Sequence, residues 1–223
     1  MPEYELLRDG KEVTLEPKGI KCESSIFWLH GRGGSGESSF PLFKQRDVFP
    51  AHARVILPTA PEIPITIKDG APAAAWFDMK SADPNNKLYG FDDALRSTES
   101  LKERILREIE RQNGDSRRVC VGGFSQGATM AFHLGFGWKG VRLGGVVGVS
   151  GFMFKETQVE NPDIDVLAIH GEEDEITSLR VVEGNFAPFL ATKSFEFVKI
   201  PGMKHQMAPM VFSFIKKFAA RVL

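Results

Sequence analysis

A serine hydroxyl becomes a nucleophile when a neighbouring base takes its proton, and that base needs a third group to orient it. Gly123-Phe124-Ser125-Gln126-Gly127 has the G-x-S-x-G spacing of a strand-to-helix turn that projects such a serine. Five residues alone are a weak signal, so their context decides. Residues 118–123 read as an apolar strand and residues 126–137 as a helix, which puts the motif at the turn between them. The helix then points its N-terminus at the reacting centre, where negative charge develops. Ser125 is the predicted nucleophile.

Five histidines compete for the base: His30, His52, His133, His170 and His205. His133 lies well into the helix leaving the motif. His30 and His170 end strands and are each followed by glycine, which suits loop support. His52 precedes a strand and so lies at the wrong sheet edge. His205 follows the last strand across Pro201-Gly202-Met203-Lys204 and is the predicted base. The acid is expected after the strand between the two, in chain order Ser, Asp/Glu, His. Residues 166–170 are followed by Gly171-Glu172-Glu173-Asp174-Glu175. Asp174 is preferred, because a turn opening at Gly171 brings its fourth residue back over the sheet edge, and Glu173 stays open as the alternative.

Acyl transfer also needs two backbone donors aimed at the developing oxyanion. The residue after the nucleophile, Gln126, supplies one. The loop His30-Gly31-Arg32-Gly33-Gly34-Ser35-Gly36, directly after an early strand, supplies the other through Arg32 N–H, with the arginine side chain expected to face solvent. Its glycines fit neither G-x-G-x-x-G nor G-x-x-x-x-G-K-[ST], so no nucleotide is expected there.

These residues need a scaffold that brings strand ends together. Strands are expected at 25–30, 54–57, 118–123, 143–149, 166–170 and 195–200, nearly continuous in hydrophobicity as strands covered on both faces are. Helices are expected at 92–113, 126–137, 179–190 and 208–223. The first carries a stripe of Leu95, Leu101, Ile105, Leu106 and Ile109, with Gly114 as its cap. This alternation predicts a parallel sheet whose site lies at the carboxyl edge. One domain spanning 1–223 is expected, without a large cap. Residues 58–89 break the pattern with prolines 58, 61, 64 and 72, and so long a connection is usually functional.

Composition sets further bounds. With 28 basic and 29 acidic residues the formal charge is −1, so nothing in the totals points to nucleic acid. No stretch approaches the roughly 18 apolar residues of a membrane span, and the first residues lack the apolar core of a secretory signal. Cys22 and Cys120 sit in no metal-ligand spacing, so a reduced, cytoplasmic setting is expected, with no metal and no cofactor. Oligomeric state stays open. The substrate class is an acyl ester or thioester. The competing functions are a non-catalytic ligand-binding protein on the same fold, against which an intact nucleophile turn argues, and a peptidase.

The motifs together resemble the acyl-protein thioesterase and small carboxylesterase (lysophospholipase-like) family of α/β-hydrolases, from about Ile26 to the C-terminus. The resemblance is carried by Leu29-His30-Gly31 with its glycine-rich loop, Pro58-Thr59-Ala60-Pro61, Trp76-Phe77-Asp78, Gly122-Gly123-Phe124-Ser125-Gln126-Gly127, His170-Gly171-x-x-Asp174 and Gly202-Met203-x-His205. It implies a single-domain α/β-hydrolase fold, a triad of Ser125, Asp174 and His205, and oxyanion donors at Arg32 and Gln126. It also implies a flexible flap around 64–76 lining an acyl channel, with Ile65, Trp76 and Phe77 as substrate contacts. The chain departs from the pattern at Gly34, Ala128 and Glu175-Ile176-Thr177.

Overall fold

Eight strands form the main sheet of the residues described by this computed structural model, 3–44 and 48–223. An antiparallel hairpin of β1 (Tyr4–Asp9) and β2 (Glu12–Pro17) opens one edge. It is followed in space by β4 (Ala53–Leu57), β3 (Ser24–Leu29), β7 (Val119–Phe124), β8 (Gly145–Val149), β9 (Val166–Gly171) and β10 (Phe195–Ile200). From β4 onward all neighbours are parallel. A small second sheet, β5 (Glu62–Pro64) with β6 (Pro72–Ala74), occupies part of the long connection after β4.

The helices are α1 (Gly36–Lys44), α2 (Phe91–Arg111), α3 (Gln126–Gly137), α4 (Leu179–Phe186) and α5 (Val211–Val222). Successive side chains of a strand point to opposite faces, and β3 shows the result. Phe27 and Leu29 join a core with Leu101 and Ile105 of α2, Met130 and Leu134 of α3, and Val182 and Phe186 of α4. Ile26 and Trp28 join the other, with Phe43 of α1 and Ile215 and Phe218 of α5. Helices on both faces leave only the strand ends open, and there the loops gather. The fold is an α/β-hydrolase fold with a mostly parallel sheet.

Three local features correct or extend the expected pattern. Leu95 and Leu106 are exposed, because at about 100° per residue both fall a quarter-turn from the centre of the buried face, which Ala94, Thr98, Leu101 and Ile105 define. The α2 cap uses Gly114, as expected, together with Asn113, both in the left-handed region. Asn113 takes the left-handed conformation (φ 57°), its N–H donates to Glu110 O at 3.0 Å, and Gly114 N–H donates to Ile109 O at 2.9 Å. The hairpin β1–β2 and helix α1 were not expected. β1 is a charged edge strand with one face in water, and Gly36 and Pro41 disguise α1 as a loop.

Candidate active site

Each predicted side chain sits just beyond a strand. β7 ends at Phe124 and α3 begins at Gln126, leaving Ser125 as the turn with φ 56° and ψ −119°. Such a backbone costs on the order of 1–3 kcal/mol and persists only where its surroundings hold it. The glycines show how close those surroundings are. A Cβ on Gly123 would lie 2.4 Å from the Gly127 carbonyl carbon, and one on Gly127 would lie 2.0 Å from Leu29 O. Ser125 N–H also donates to Val149 O at 2.8 Å, tying the turn to β8.

The three side chains predicted as nucleophile, base and acid meet. His205 Nε2 lies 2.8 Å from Ser125 Oγ, and Nδ1 lies 2.8 Å from Asp174 Oδ2. A carboxylate only accepts, so Nδ1–H donates to Asp174 and Nε2 is free to accept from the serine hydroxyl. Asp174 Oδ1 accepts from Ile176 N–H at 2.9 Å and Thr177 N–H at 2.8 Å, and its side chain has no exposed surface. Burial alone would raise its pKa, but the bonds from His205 and Thr177 outweigh burial and hold it below the usual carboxylate value. Glu172, Glu173 and Glu175 all face solvent, so the geometry singles out Asp174 from the acidic run. A Cβ on Gly171 would lie 2.0 Å from Met203 O, and Glu173 N–H donates to Met203 O at 3.1 Å. The Asp174 loop and the His205 loop are thus fixed to each other.

The two strand-end histidines give the loop support that their positions suggested, His30 to the glycine-rich loop and His170 to the loop that carries Asp174. His30 Nε2 accepts from Ala60 N–H at 3.0 Å, so the proton sits on Nδ1, which donates to Gly31 O at 2.7 Å. Burial lowers the His30 pKa and keeps that neutral tautomer. His170 likewise donates from Nε2 to Thr177 O at 2.8 Å, behind Asp174. Gly33 N–H donates to Ala74 O at 2.7 Å, which fixes Arg32 between two held glycines. Gln126 opens α3, so its N–H has no acceptor within the helix. Gly34 leaves room for this arrangement, since a Cβ there would crowd Gly31 O at 3.0 Å. Ala128 is accommodated because residue 151 is glycine, whose Cβ would come within 2.5 Å of the Ala128 methyl.

A cavity of about 140 Å³ adjoins Ser125, with walls that include Gln126, Arg32, Ile67, Lys87, Ser150 and Phe152. Two expectations about this space change. The Arg32 side chain is not simply solvent-facing: its Nη1 is shielded and finds no hydrogen-bond partner among the described residues. Ile65, Trp76 and Phe77 do not line the cavity and are packed in the interior, 0%, 3% and 0% exposed. They turn inward where the chain leaves the largely exposed β5–β6 strands, Ile65 directly after β5 and Trp76 and Phe77 after β6. Trp76 Nε1 donates to His30 O at 2.8 Å. Gln126 accepts from Trp76 N–H at 3.2 Å and donates to Phe77 O at 2.8 Å. Trp76 and Phe77 therefore brace the backbone at His30 and Gln126, and of the hairpin's apolar side chains Ile67 reaches the cavity. Ser150 and Lys87 were missed. Ser150 follows the strand at 145–149 with φ 55°, so the strand-end filter could have found it. Lys87 lies in an irregular loop with no sequence signal.

Residues 11–223 match the family described as phospholipase/carboxylesterase. The chain belongs to that family. It is a serine hydrolase of the carboxylesterase and thioesterase kind. Curated relatives include acyl-protein thioesterase 1 of Eremothecium gossypii, 30% identical with 89% of this chain and 88% of that one covered. Another is acyl-protein thioesterase 1 homolog 1 of Dictyostelium discoideum, at 26% with 96% and 94% covered. In fold, the chain superposes on Zea mays acyl-protein thioesterase 2 with a TM-score of 0.77 at 23% identity, covering 96% and 99% of the two chains. Among the described residues, no helix is long and apolar enough to cross a membrane.

Proposed function

We propose that this hydrolase cleaves acyl esters or thioesters through a Ser125–His205–Asp174 triad and an acyl-enzyme. The observation that carries this is His205, bonded through one ring nitrogen to Ser125 Oγ and through the other to Asp174, both at 2.8 Å. Ser125 Oγ attacks the acyl carbonyl carbon while its proton passes to His205 Nε2. Asp174 stabilises the resulting imidazolium. The N–H groups of Arg32 and Gln126 receive the oxyanion. His205 then returns the proton to the departing alcohol or thiol, leaving the acyl group on Ser125. A water molecule, deprotonated by His205, releases the acid and regenerates the serine.

The names of the curated relatives make an acylated protein one substrate to try, beside lipid and small esters. The free Cys22 and Cys120 suit a reducing compartment such as the cytosol. Fluorophosphonate labelling of the wild type and of Ser125→Ala, followed by a panel of matched thioesters and oxyesters, tests the mechanism. Labelling that persists without Ser125 would overturn it, and labelling without turnover of any ester would favour a binding protein.

A further inference from the structure

Positive charge lines the space beside Ser125 without matching carboxylates in its walls. Arg32 and Lys87 share the 140 Å³ cavity with Ser125 and Gln126. Lys87 is only 9% exposed, and its Nζ donates to Ile176 O rather than to a carboxylate. Arg32 Nη1 is shielded and unpartnered. Ser150, 1% exposed on the same wall, also has an unpartnered Oγ. Lys87 and Phe152 go on to line a second cavity of about 390 Å³, whose other charged walls are Lys155 and Arg180. Among the described residues no Asp or Glu lines either space, although the chain as a whole holds 29 acidic residues against 28 basic ones.

A buried cation is costly unless something compensates it. The carboxylates that act on Lys87 are Asp174 and Asp83. Asp174 is already committed to His205 and to the Ile176 and Thr177 N–H groups. Burial of Lys87 and repulsion from Arg32 both favour its neutral form. An anion entering between the two side chains would relieve both costs and give Arg32 Nη1 and Ser150 Oγ a partner. The space at Ser125 is also small beside the roughly 300–1,000 Å³ usual for ligand pockets. It leaves room for a short charged group beside the apolar walls of Ile67, Met79, Phe152 and Ile176.

Resting on the Ser125 reading above, we infer that the preferred substrate carries a carboxylate or phosphate near its scissile carbonyl, held by Arg32 and Lys87. The anionic group can lie on the acyl side or on the leaving group, and the two are separable by experiment. For the acyl side, the pair is para-nitrophenyl hemiadipate and its analogue with a methyl ketone in place of the carboxylate. For the leaving group, it is the acetates of meta-hydroxybenzoate and meta-hydroxyacetophenone.

In at least one pair the charged ester is expected to have the higher kcat/KM by about tenfold or more, the scale of a charge-assisted hydrogen bond. Lys87→Met should bring that ratio close to one, and Lys87→Arg should largely restore it. If Lys87 merely clasps Ile176, the variant lowers both members of a pair alike and the ratio does not move. A neutral ester preferred in both pairs, or a ratio insensitive to Lys87→Met, would overturn the inference while leaving the esterase intact. Loss of turnover for every ester would instead bring down the Ser125 reading. A readout independent of turnover is the melting temperature of Ser125→Ala protein titrated with adipate and with inorganic phosphate. A rise is expected with one of them, and the further change Lys87→Met should abolish it. No rise with either would also overturn the inference.

Discussion

A Cβ on Gly127 would sit 2.0 Å from the carbonyl oxygen of Leu29, so the first turn of α3 lies against the last residue of β3. This one approach sets the distance between two chain segments that must act together. Ser125 and Gln126 belong to the α3 side, while His30 and Arg32 continue from β3. Trp76 bridges the same two segments, donating through its ring nitrogen to His30 O and through its backbone N–H to Gln126 Oε1. The donors proposed for the oxyanion are therefore positioned by backbone packing together with buried side chains that bridge the two segments.

Gly127→Ala is expected to push α3 away from β3. Overpacking a close contact typically costs about 1–3 kcal/mol, and the clash here is with backbone that cannot rotate aside. The melting temperature should fall by several degrees, and kcat should fall more than KM rises, since displaced donors weaken the transition state selectively. An unchanged melting temperature would contradict the packing argument.

Ser125→Ala should lower kcat by on the order of 10⁶ with the fold intact, as loss of a triad nucleophile does. Asp174→Asn should cost about 10⁴, because His205 loses the acceptor that fixes its tautomer. Glu173→Gln should change kcat by less than about tenfold, since exposed charges are weakly coupled. Kinetics on the three variants, with circular dichroism as the folding control, check this. Glu173→Gln proving the most damaging would reassign the acid.

The inner strands were legible because apolar runs there are covered on both faces, and even the edge strand Phe195–Ile200, with Glu196 and Lys199 exposed, is the expected strand residue for residue. Ser125, Asp174 and His205 were legible because each lies in the turn or loop that follows a strand. Ile65, Trp76 and Phe77, expected as substrate contacts, lie in the interior and outside the cavity at Ser125. Apolar residues in a loop can face a ligand or the core, and these three pack inward where the chain leaves the largely exposed β5–β6 strands. Arg32 was read for its N–H alone, since nothing in Gly31-Arg32-Gly33 indicates that its guanidinium is shielded.

Acid should destabilise the protein below about pH 6.5, the ordinary histidine value. Burial lowers the pKa of His30, His170 and His133, the last to about 4. Above pH 6.5 these histidines are neutral in both states. As pH falls toward the folded values the unfolded chain takes up protons first, and stability is lost at up to about 1.4 kcal/mol per pH unit for each. Partial exposure of His133 reduces its share. Asp174 adds to the loss only at lower pH, in and below the carboxylate range. Urea midpoints between pH 7 and 5 should therefore decline, and less steeply in His133→Gln. A flat profile over that window would refute the assignment of these groups as neutral.

The hairpin after β4 separates packing from substrate contact at two isoleucines two residues apart. Ile65 is 0% exposed, its N–H donates to Ala71 O at 3.2 Å, and it does not reach the cavity. Ile67 is half-buried, held by Met79 O at 3.1 Å, and lines the cavity beside Ser125. Ile65→Ala should cost about 2–5 kcal/mol of stability, as a buried large-to-small change does. Its dependence of kcat/KM on acyl length should follow the wild type. Ile67→Ala should cost little stability. It should lower kcat/KM about tenfold for esters long enough to touch it, on roughly 0.8 kcal/mol per buried CH₂, while acetate is hydrolysed much as before. Urea melts and an ester series from acetate to octanoate measure both effects. If Ile65→Ala instead flattens the chain-length profile at unchanged stability, the hairpin opens over the substrate and Ile65 belongs to the acyl channel after all.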